Sequence, residues 1–272
     1  MGRNPTESQT SHLYCWGRVK LKIIYNGSLI ETNQEIISED GWLKGSGIFE
    51  TIKTVNGSAW AMSRHMRRAV NSALRLNLKL PGEELIRSSV NDLLSVESFE
   101  SGALRISFDH DGNWAAVHNK YQEKKNPAKV VTYQTSLVSN GVPIKSYPYN
   151  HRLQILNEVI GQGFDEAIVI SPEEKVCEGA VTNLLLLIHD QWCTSPLSDG
   201  VLPGVMRALV IENFKVQVRT ILSEELSNAT SGFLLSSLRI AQPIASIDGR
   251  ELAHSTDFEH EIRAMALRTS VG

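Results

Sequence analysis

Two segments of this sequence contain residue types that could bind an anion. Residues 199–207 (DGVLPGVMR) form a loop with glycine and proline that leads into an apolar-periodic helix, whose first N–H groups and dipole favour a phosphate. The loop lacks the Lys and Ser or Thr of a P-loop. Arg68 lies on the flank of another predicted helix, away from Met66, Val70 and Ala73, where it could clamp a phosphate. Residues 199–207 could equally be an ordinary loop before a surface helix. The helix with Arg68 could equally present a solvated basic face.

Lys145 and Glu178 could supply the reactive groups of a site. Lys145 follows an apolar residue and has two prolines and a tyrosine close by in the sequence. Partial desolvation there would lower its pKa and suit it to Schiff-base or proton-transfer chemistry. Glu178 is a carboxylate beside a glycine after an apolar strand. A simpler interpretation of Lys145 is a loop lysine with a solvated ammonium. A simpler interpretation of Glu178 is an ordinary turn carboxylate, so these residues alone leave the function open.

The first half of the sequence predicts hairpins beside two helices. Apolar alternation around Asn26-Gly27 and around Asn56-Gly57 predicts two hairpins. Ser63 is the predicted N-cap of a helix that Pro81 ends, and residues 83–94 predict a second helix. The predicted strands of this half are residues 19–24, 29–30, 49–55, 58–62, 103–108 and 114–121.

The second half predicts a larger unit. Residues 123–129 (EKKNPAK) are polar and charged, and they form the predicted linker between a small domain at 19–122 and a large domain at 130–272. A loosely held tail is expected at residues 1–18. The predicted strands are residues 130–133, 166–170, 184–188, 232–236 and 244–247. The predicted helices are residues 150–160, 204–213 and 259–267.

The composition excludes several classes of protein. Of 272 residues, 42% are hydrophobic and 21% charged, which is typical of a globular protein. With 27 Lys and Arg against 30 Asp and Glu, the net charge of −3 argues against nucleic-acid binding. The longest apolar run has five residues, at 184–188, and the first residues lack an apolar segment, so neither a membrane span nor a signal peptide is expected. Cys15, Cys177 and Cys193 form no CxxC pattern. We therefore expect a cytoplasmic protein with free thiols, no disulfide framework and no metal site.

Five segments of the sequence together resemble the class IV aminotransferase family, the pyridoxal-phosphate enzymes of fold type IV. The resemblance covers residues 23–249. Each segment alone is a weak signal, but all five occur in the order and at the spacing of that family. The segments are GSGIFET at 45–51, HMRR at 65–68 with NSA at 71–73, Lys145 placed 21 residues before Glu166 of GFDEA, VCEGAVTN at 176–183, and LPGVMR at 202–207.

The resemblance implies a fold, a cofactor and a set of roles. The implied fold is α+β, with a small N-terminal α/β domain and a larger C-terminal domain that binds pyridoxal 5′-phosphate. Lys145 would be the catalytic residue, which holds the cofactor and moves the substrate proton. Glu178 would keep the pyridine nitrogen protonated. The further implied contacts are Arg68, Ser237 and the amides of Val205 and Met206 on the phosphate, Leu202 on the ring, and Phe49 and Tyr147 in the substrate pocket.

The sequence also departs from the family pattern. Tyr147 stands after the lysine where relatives usually have small residues, and it could narrow the pocket. Residues 109–111 contain two acids at a strand end where many members carry an arginine. Recognition of a substrate carboxylate by this loop is therefore not expected. The alternative cation would come from Arg239 or from the partner subunit, and Arg105 is a weaker candidate because it sits within a strand. Met206 replaces the usual threonine of the phosphate loop, which removes a hydroxyl but keeps the amide.

Two reactions remain open within the family. The chain length and Ser236-Ser237-Leu238 before Pro243 are similar to the aminodeoxychorismate lyases, which eliminate pyruvate from 4-amino-4-deoxychorismate to give 4-aminobenzoate in folate synthesis. The alternative is a branched-chain or D-amino-acid aminotransferase. A non-catalytic module that binds a partner through the basic helix at 64–75 would need neither Lys145 nor Glu178. The resemblance implies a homodimer acting on a small-molecule substrate.

Overall fold

The computed structural model describes residues 21–32, 36–137 and 142–269. The predicted tail at 1–18, the start of the first predicted strand at 19–20, and Cys15 lie outside the described residues. None of the helices within these ranges is long and apolar enough to cross a lipid bilayer.

The described chain forms sixteen strands and five α-helices. In chain order the strands are β1 (Leu21–Tyr25), β2 (Ser28–Thr32), β3 (Gly47–Val55), β4 (Ser58–Ala59), β5 (Ser101–Asp109), β6 (Trp114–Lys120), β7 (Ala128–Gln134), β8 (Ser146–Tyr147), β9 (Glu166–Ile170), β10 (Val176–Gly179), β11 (Asn183–Ile188), β12 (Gln191–Thr194), β13 (Gln217–Val218), β14 (Ala229–Ser236), β15 (Ile240–Ile247) and β16 (Arg250–Glu251). The helices are α1 (Met62–Leu76), α2 (Glu83–Val96), α3 (Asn150–Gly161), α4 (Val205–Asn213) and α5 (Thr256–Arg268).

The first sheet contains both predicted hairpins. Its order is β2-β1-β6-β5-β3-β4, and β8 pairs with β3 beside this path. Asn26 and Gly27 have φ angles of 48° and 87°, and Asn56 and Gly57 have 48° and 76°, as a two-residue turn of type I′ requires. Both hairpins are thereby confirmed. β3 pairs with β5 along its whole length, so it forms a rigid central support for the residues it carries.

Helix α1 differs from the prediction in its cap and in its buried face. Its N-cap is Ala61, in a left-handed conformation with φ 52°, and not Ser63. The helix ends at Leu76, before Pro81. Val70 and Leu74 are 42% and 75% exposed, whereas the polar His65 is fully buried. The apolar spacing was misleading because Glu50, buried on β3, is a partner for His65 and Arg68. These polar residues of α1 therefore face the interior of the protein.

The second sheet belongs mostly to the second half of the chain. Its order is β10-β9-β7-β15-β14-β11-β12-β13, with β16 pairing β15 beside this path. The central strand β7 runs parallel to both β9 and β15. Helices α3, α4 and α5 lie near their predicted positions. Strands β8, β10, β12, β13 and β16 were not predicted, because segments of two to four residues are too short to show alternation.

Two features near the predicted linker bear on the domain division. β7 begins at Ala128, inside the predicted linker at 123–129. β8 belongs to the first sheet although it follows the linker, since Gly47 pairs with Tyr147 and Ile48 with Ser146. The division at 123–129 therefore stays a prediction, and the chain crosses between the sheets more than once. The return through β8 brings the segment around Lys145 against β3.

Candidate active site

A cavity between the two sheets brings most of the predicted site residues together. Its wall includes residues from β3, α1, β10, the loop before α4 and the turn after β14. Of the predicted residues, those lining this one cavity are Phe49, Arg68, Lys145, Glu178, Leu202, Val205, Met206 and Ser237. Residues far apart in the sequence therefore converge on one place, as the roles implied by the resemblance require.

Lys145 reaches the cavity from the strand junction between β3 and β8. Its carbonyl oxygen accepts a hydrogen bond of 3.0 Å from the amide of Phe49, which anchors its backbone to the rigid strand. Its Nζ lies 4.4 Å from the ring centroid of Phe49 and 5.0 Å from that of Tyr149. Desolvation and the nearby charge of Arg68 lower the pKa of Lys145 from 10.5 to about 7. A substantial fraction of this amine is therefore neutral near pH 7, as a nucleophile or base must be.

Glu178 is held in a fixed orientation on the cavity floor. The residue is 1% exposed. Oε1 accepts a hydrogen bond of 2.5 Å from Nη2 of Arg152. Oε2 accepts bonds of 2.7 Å from Nδ2 of Asn183 and 3.1 Å from the amide of Leu202. These three donors hold the carboxylate in one orientation in the wall of the cavity.

Arg68 is oriented by a carboxylate that the sequence patterns did not single out. Nε and Nη2 of Arg68 donate to the two oxygens of Glu50 at 2.8 Å and 2.5 Å. Nη1 donates to the carbonyl oxygen of Pro203 at 3.2 Å, which ties α1 to the loop before α4. Although burial opposes it, the charge and hydrogen bonds of Arg68 lower the pKa of Glu50 to about 2. The guanidinium is therefore aimed before any ligand arrives.

His65 extends this network to Ser237. Its Nδ1 lies 2.7 Å from Oε2 of Glu50, and its Nε2 lies 3.0 Å from Oγ of Ser237. Desolvation lowers the pKa of His65, which favours the neutral ring. A neutral His65 donates from Nδ1 to the carboxylate and accepts at Nε2 from the serine hydroxyl. Sequence reasoning assigned no role to Glu50 or His65. The signal that could have found them is their position inside the motifs GSGIFET and HMRR.

The loop before α4 fits the phosphate of the implied cofactor. Gly204 is the N-cap of α4, and the amides of the first helical turn, including Val205 and Met206, have no acceptor within the helix. A Cβ on Gly204 would lie only 1.8 Å from Oδ1 of Asn183, so only glycine allows this close approach. Asn183 also donates to the carbonyl oxygen of Leu202 at 3.0 Å. Hydrogen-bond donors for an anion, an amine and a carboxylate thus line one cavity. Pyridoxal phosphate needs this set of groups.

Tyr147, expected in the substrate pocket, does not take part in the cavity wall. It is 2% exposed and its ring stacks on Trp42, with centroids 5.9 Å apart, within an apolar cluster behind the wall. Tyr149 lines the cavity instead. The register of β8 explains the difference, because Tyr147 pairs directly with Gly47 and is packed into the first sheet.

The structure also places the residues considered for a substrate carboxylate. Asp109 of the acidic loop accepts hydrogen bonds from the amides of Asp111 and Asn113, so its carboxylate stabilises the turn and does not line the cavity. Arg239 lines the cavity but forms an ion pair of 3.2 Å with Glu166. Arg105 lines it from the middle of β5. A position within a strand therefore does not keep this side chain from the cavity.

Similar proteins include both kinds of enzyme considered above. The chain is 23% identical over 260 residues to a D-alanine aminotransferase of Bacillus licheniformis, covering 85% of this chain and 90% of that protein. It is 22% identical over 215 residues to an aminodeoxychorismate lyase of Bacillus subtilis, covering 71% and 73%. Among solved structures, a hypothetical aminotransferase from Mycobacterium tuberculosis in its PLP-bound form superposes with a TM-score of 0.78 at 18% identity, covering 92% of this chain and 99% of that chain.

A family model also matches this chain. The model of amino-transferase class IV covers residues 47–247, a range that contains every predicted site residue. Members of this family use pyridoxal phosphate, and the α+β architecture described above is that of fold type IV. The family, fold class and cofactor expected from the sequence are therefore confirmed. The chain belongs to the class IV aminotransferase family and is a pyridoxal-phosphate-dependent enzyme that acts on small molecules.

Proposed function

We propose that this protein is a lyase of the aminodeoxychorismate type, which releases pyruvate from a cyclic amino-carboxylate and leaves 4-aminobenzoate for folate synthesis. The observation that carries the proposal is the part of the cavity wall where a cation lies among aromatic rings. The guanidinium of Arg105 lies 5.0 Å from the ring centroid of Trp42 and 5.3 Å from that of Phe49. A flat, charged and apolar surface of this kind fits a ring that carries a carboxylate.

Arg105 is held in place for such a contact. Its Nε donates to Oγ1 of Thr51 at 3.3 Å, and its Nη1 donates to the carbonyl oxygen of Asp40. These two bonds fix the guanidinium over the aromatic part of the wall. Arg239, by contrast, is directed at the buried carboxylate of Glu166. The geometry therefore favours Arg105 over Arg239 as the contact for a carboxylate on a substrate ring.

The cofactor would be held at the other end of the cavity. Lys145 would bind it covalently, and Glu178 would accept a hydrogen bond from its protonated ring nitrogen. The phosphate would bind to Arg68, Ser237 and the first amides of α4, with Leu202 against the ring. When bound, pyridoxal phosphate supplies an electron sink for negative charge that develops on the substrate.

Lys145 would then move the proton. Its lowered pKa, about 7, lets the released amine accept a proton from the substrate and return it near neutral pH. The rings of Phe49 and Tyr149 beside Nζ exclude water from the amine and limit the directions in which it can move. Loss of pyruvate would leave the aromatic amine among the aromatic side chains of the wall.

An amino-acid aminotransferase is the second candidate. The observation in its favour is that D-alanine aminotransferase relatives match 85% of this chain, whereas the aminodeoxychorismate lyase relative matches 71%. In that reaction Lys145 would carry the proton between the substrate carbon and the cofactor, and Arg105 would bind the carboxylate of an amino or oxo acid.

Parallel assays separate the two candidates. Pyruvate release from aminodeoxychorismate is followed with lactate dehydrogenase, beside a panel of L- and D-amino acids with 2-oxoglutarate or pyruvate as acceptor. We expect aminodeoxychorismate to turn over faster than any amino acid, with Lys145→Ala as the blank. Faster turnover of leucine, valine, isoleucine or a D-amino acid would establish the aminotransferase instead.

We also infer that the enzyme is a cytoplasmic homodimer with its sites near the subunit interface. Two-fold dimers are the commonest assembly of soluble enzymes. The free, buried thiols of Cys177 and Cys193 fit a reducing compartment. Sedimentation and assay at nanomolar concentration test the dimer, and a fully active monomer would contradict it.

A further inference from the structure

Arg152 is buried beside the carboxylate that faces the cofactor ring, and the sequence patterns assign it no role. It lies in the first turn of α3 and lines the cavity. Its Nη2 donates to Oε1 of Glu178 at 2.5 Å, and its Nη1 donates to the carbonyl oxygen of Ala180 at 3.1 Å. Its guanidinium carbon lies 5.5 Å from the ring centroid of Tyr149. Contacts on three sides fix the position of this cation.

The three donors around Glu178 leave little room for other partners. An ionised carboxylate has about four acceptor positions. Arg152 uses one on Oε1, while Asn183 and the amide of Leu202 share Oε2. About one position, on Oε1, is left for a proton on the cofactor. Glu178 can therefore accept a hydrogen bond from the protonated ring nitrogen in one orientation only, and Arg152 sets this orientation.

The charge of Arg152 acts on the same proton. A guanidinium keeps its proton under all conditions that a folded protein experiences. A protonated ring nitrogen at Oε1 would share one carboxylate with a second, permanent cation. Like charges that share a counter-ion disfavour each other, so the ring would release its proton more readily than beside a carboxylate of its own.

We propose that Arg152 is a positioning residue that aims Glu178 at the cofactor ring and weakens the hold of that carboxylate on the ring proton. This inference rests on the orientation of the cofactor proposed above, with its ring nitrogen at Glu178. Glu178 thereby favours the protonated ring, which is the stronger electron sink, whereas Arg152 makes the ring nitrogen easier to deprotonate. Two residues in direct contact thus have opposite effects on one proton.

The test is a pH titration of the ring nitrogen in the holoenzyme, measured by ¹⁵N NMR with ¹⁵N-labelled pyridoxal phosphate and without substrate. Glu178→Gln should lower the apparent pKa of the ring nitrogen, because the amide carries no charge. Arg152→Gln should raise it by at least about one unit. Arg152→Lys, which keeps the charge, should stay near the wild type. If Arg152→Gln fails to fold, Arg152→Met removes the charge with a side chain of similar length.

Arg263 supplies the control for this titration. Arg263→Gln removes another partly buried arginine, which pairs with Glu123 and Glu259, and should leave the titration unchanged. An unchanged titration in Glu178→Gln would overturn the cofactor orientation on which the proposed function depends. A shift in Glu178→Gln together with an unchanged or lowered pKa in the neutral Arg152 variants would overturn the role of Arg152 alone.

Discussion

The two ends of the cavity are built in different ways. At the proposed cofactor end, Glu50, His65, Arg68 and Ser237 form one chain of hydrogen bonds, and every member comes from a short motif or lies beside one. At the substrate end, Arg105 lies over aromatic rings and donates to a hydroxyl and a carbonyl oxygen. No motif marks Arg105, in the middle of β5, or Trp42, in the loop before β3, whereas Phe49 and Thr51 belong to the GSGIFET segment. The proposed cofactor end is therefore set by motifs, whereas the substrate end also needs unmarked residues that the pairing of β3 with β5 brings together.

Replacing Lys145 should have the largest effect. Lys145→Ala removes both the covalent link to the cofactor and the proton carrier, so turnover should fall by about 10⁴-fold. Borohydride reduction of the wild-type holoenzyme, followed by peptide mass spectrometry, should find the pyridoxyl group on Lys145. Finding it on another lysine would contradict the proposed role.

Glu178→Gln should lower turnover by about 100-fold or more while most of the cofactor stays bound. A neutral amide cannot hold the ring proton, and a loss of a few kcal/mol corresponds to this factor. Single-turnover kinetics and cofactor content, measured on the same sample, check the result. Turnover close to that of the wild type would exclude the role of Glu178.

Glu50→Gln should lower the unfolding free energy of the cofactor-free enzyme more than that of the holoenzyme. Breaking a buried pair leaves Arg68 uncompensated and typically costs about 3 kcal/mol of unfolding free energy. The cofactor phosphate would restore part of that compensation. Urea unfolding of both forms measures the difference, and equal losses would show that Arg68 does not meet the phosphate.

The same pair predicts a pH dependence of stability. Although burial raises it, the pKa of Glu50 is lowered by Arg68 from its ordinary value of 4.5 to about 2. The stabilising contribution of Glu50 is therefore complete above pH 4.5 and is lost as the pH falls toward 2. Acid unfolding of the wild type should show this loss, and Glu50→Gln should show less of it. Parallel acid profiles for the two proteins would contradict the assignment.

Arg105→Gln should have the smallest effect, confined to the substrate. We expect KM for a carboxylate substrate to rise about tenfold or more, since a charge-assisted hydrogen bond contributes about 1.5–3 kcal/mol. The cofactor content should not change, because Arg105 does not belong to the network around Glu50. Arg105→Lys should recover part of the loss in KM. A lower cofactor content with unchanged KM would contradict the assignment of Arg105 to the substrate end.

Several residues show why sequence patterns could predict one end and not the other. Lys145 and Glu178 were predictable because each stands at a family spacing in a short motif. Arg68 was predicted as a phosphate ligand, but the orientation of its helix was not, since Val70 and Leu74 imitate a buried stripe. Tyr147 was misplaced because β8 has only two residues and shows no pattern. Arg152 was missed because a single arginine in a helix is usually a surface residue.

By itself, the sequence determined the family, the fold class, the cofactor and the positions of most strands and helices. These follow from local spacing, turn residues and motif order, which act over a few residues at a time. Only the tertiary structure decided that Glu50 orients Arg68, that Arg152 shares the carboxylate of Glu178, and that Arg105 reaches the cavity from mid-strand. Each of these contacts joins residues on different elements. Their energies depend on burial and on charges brought together by the fold, and neither is written in local sequence.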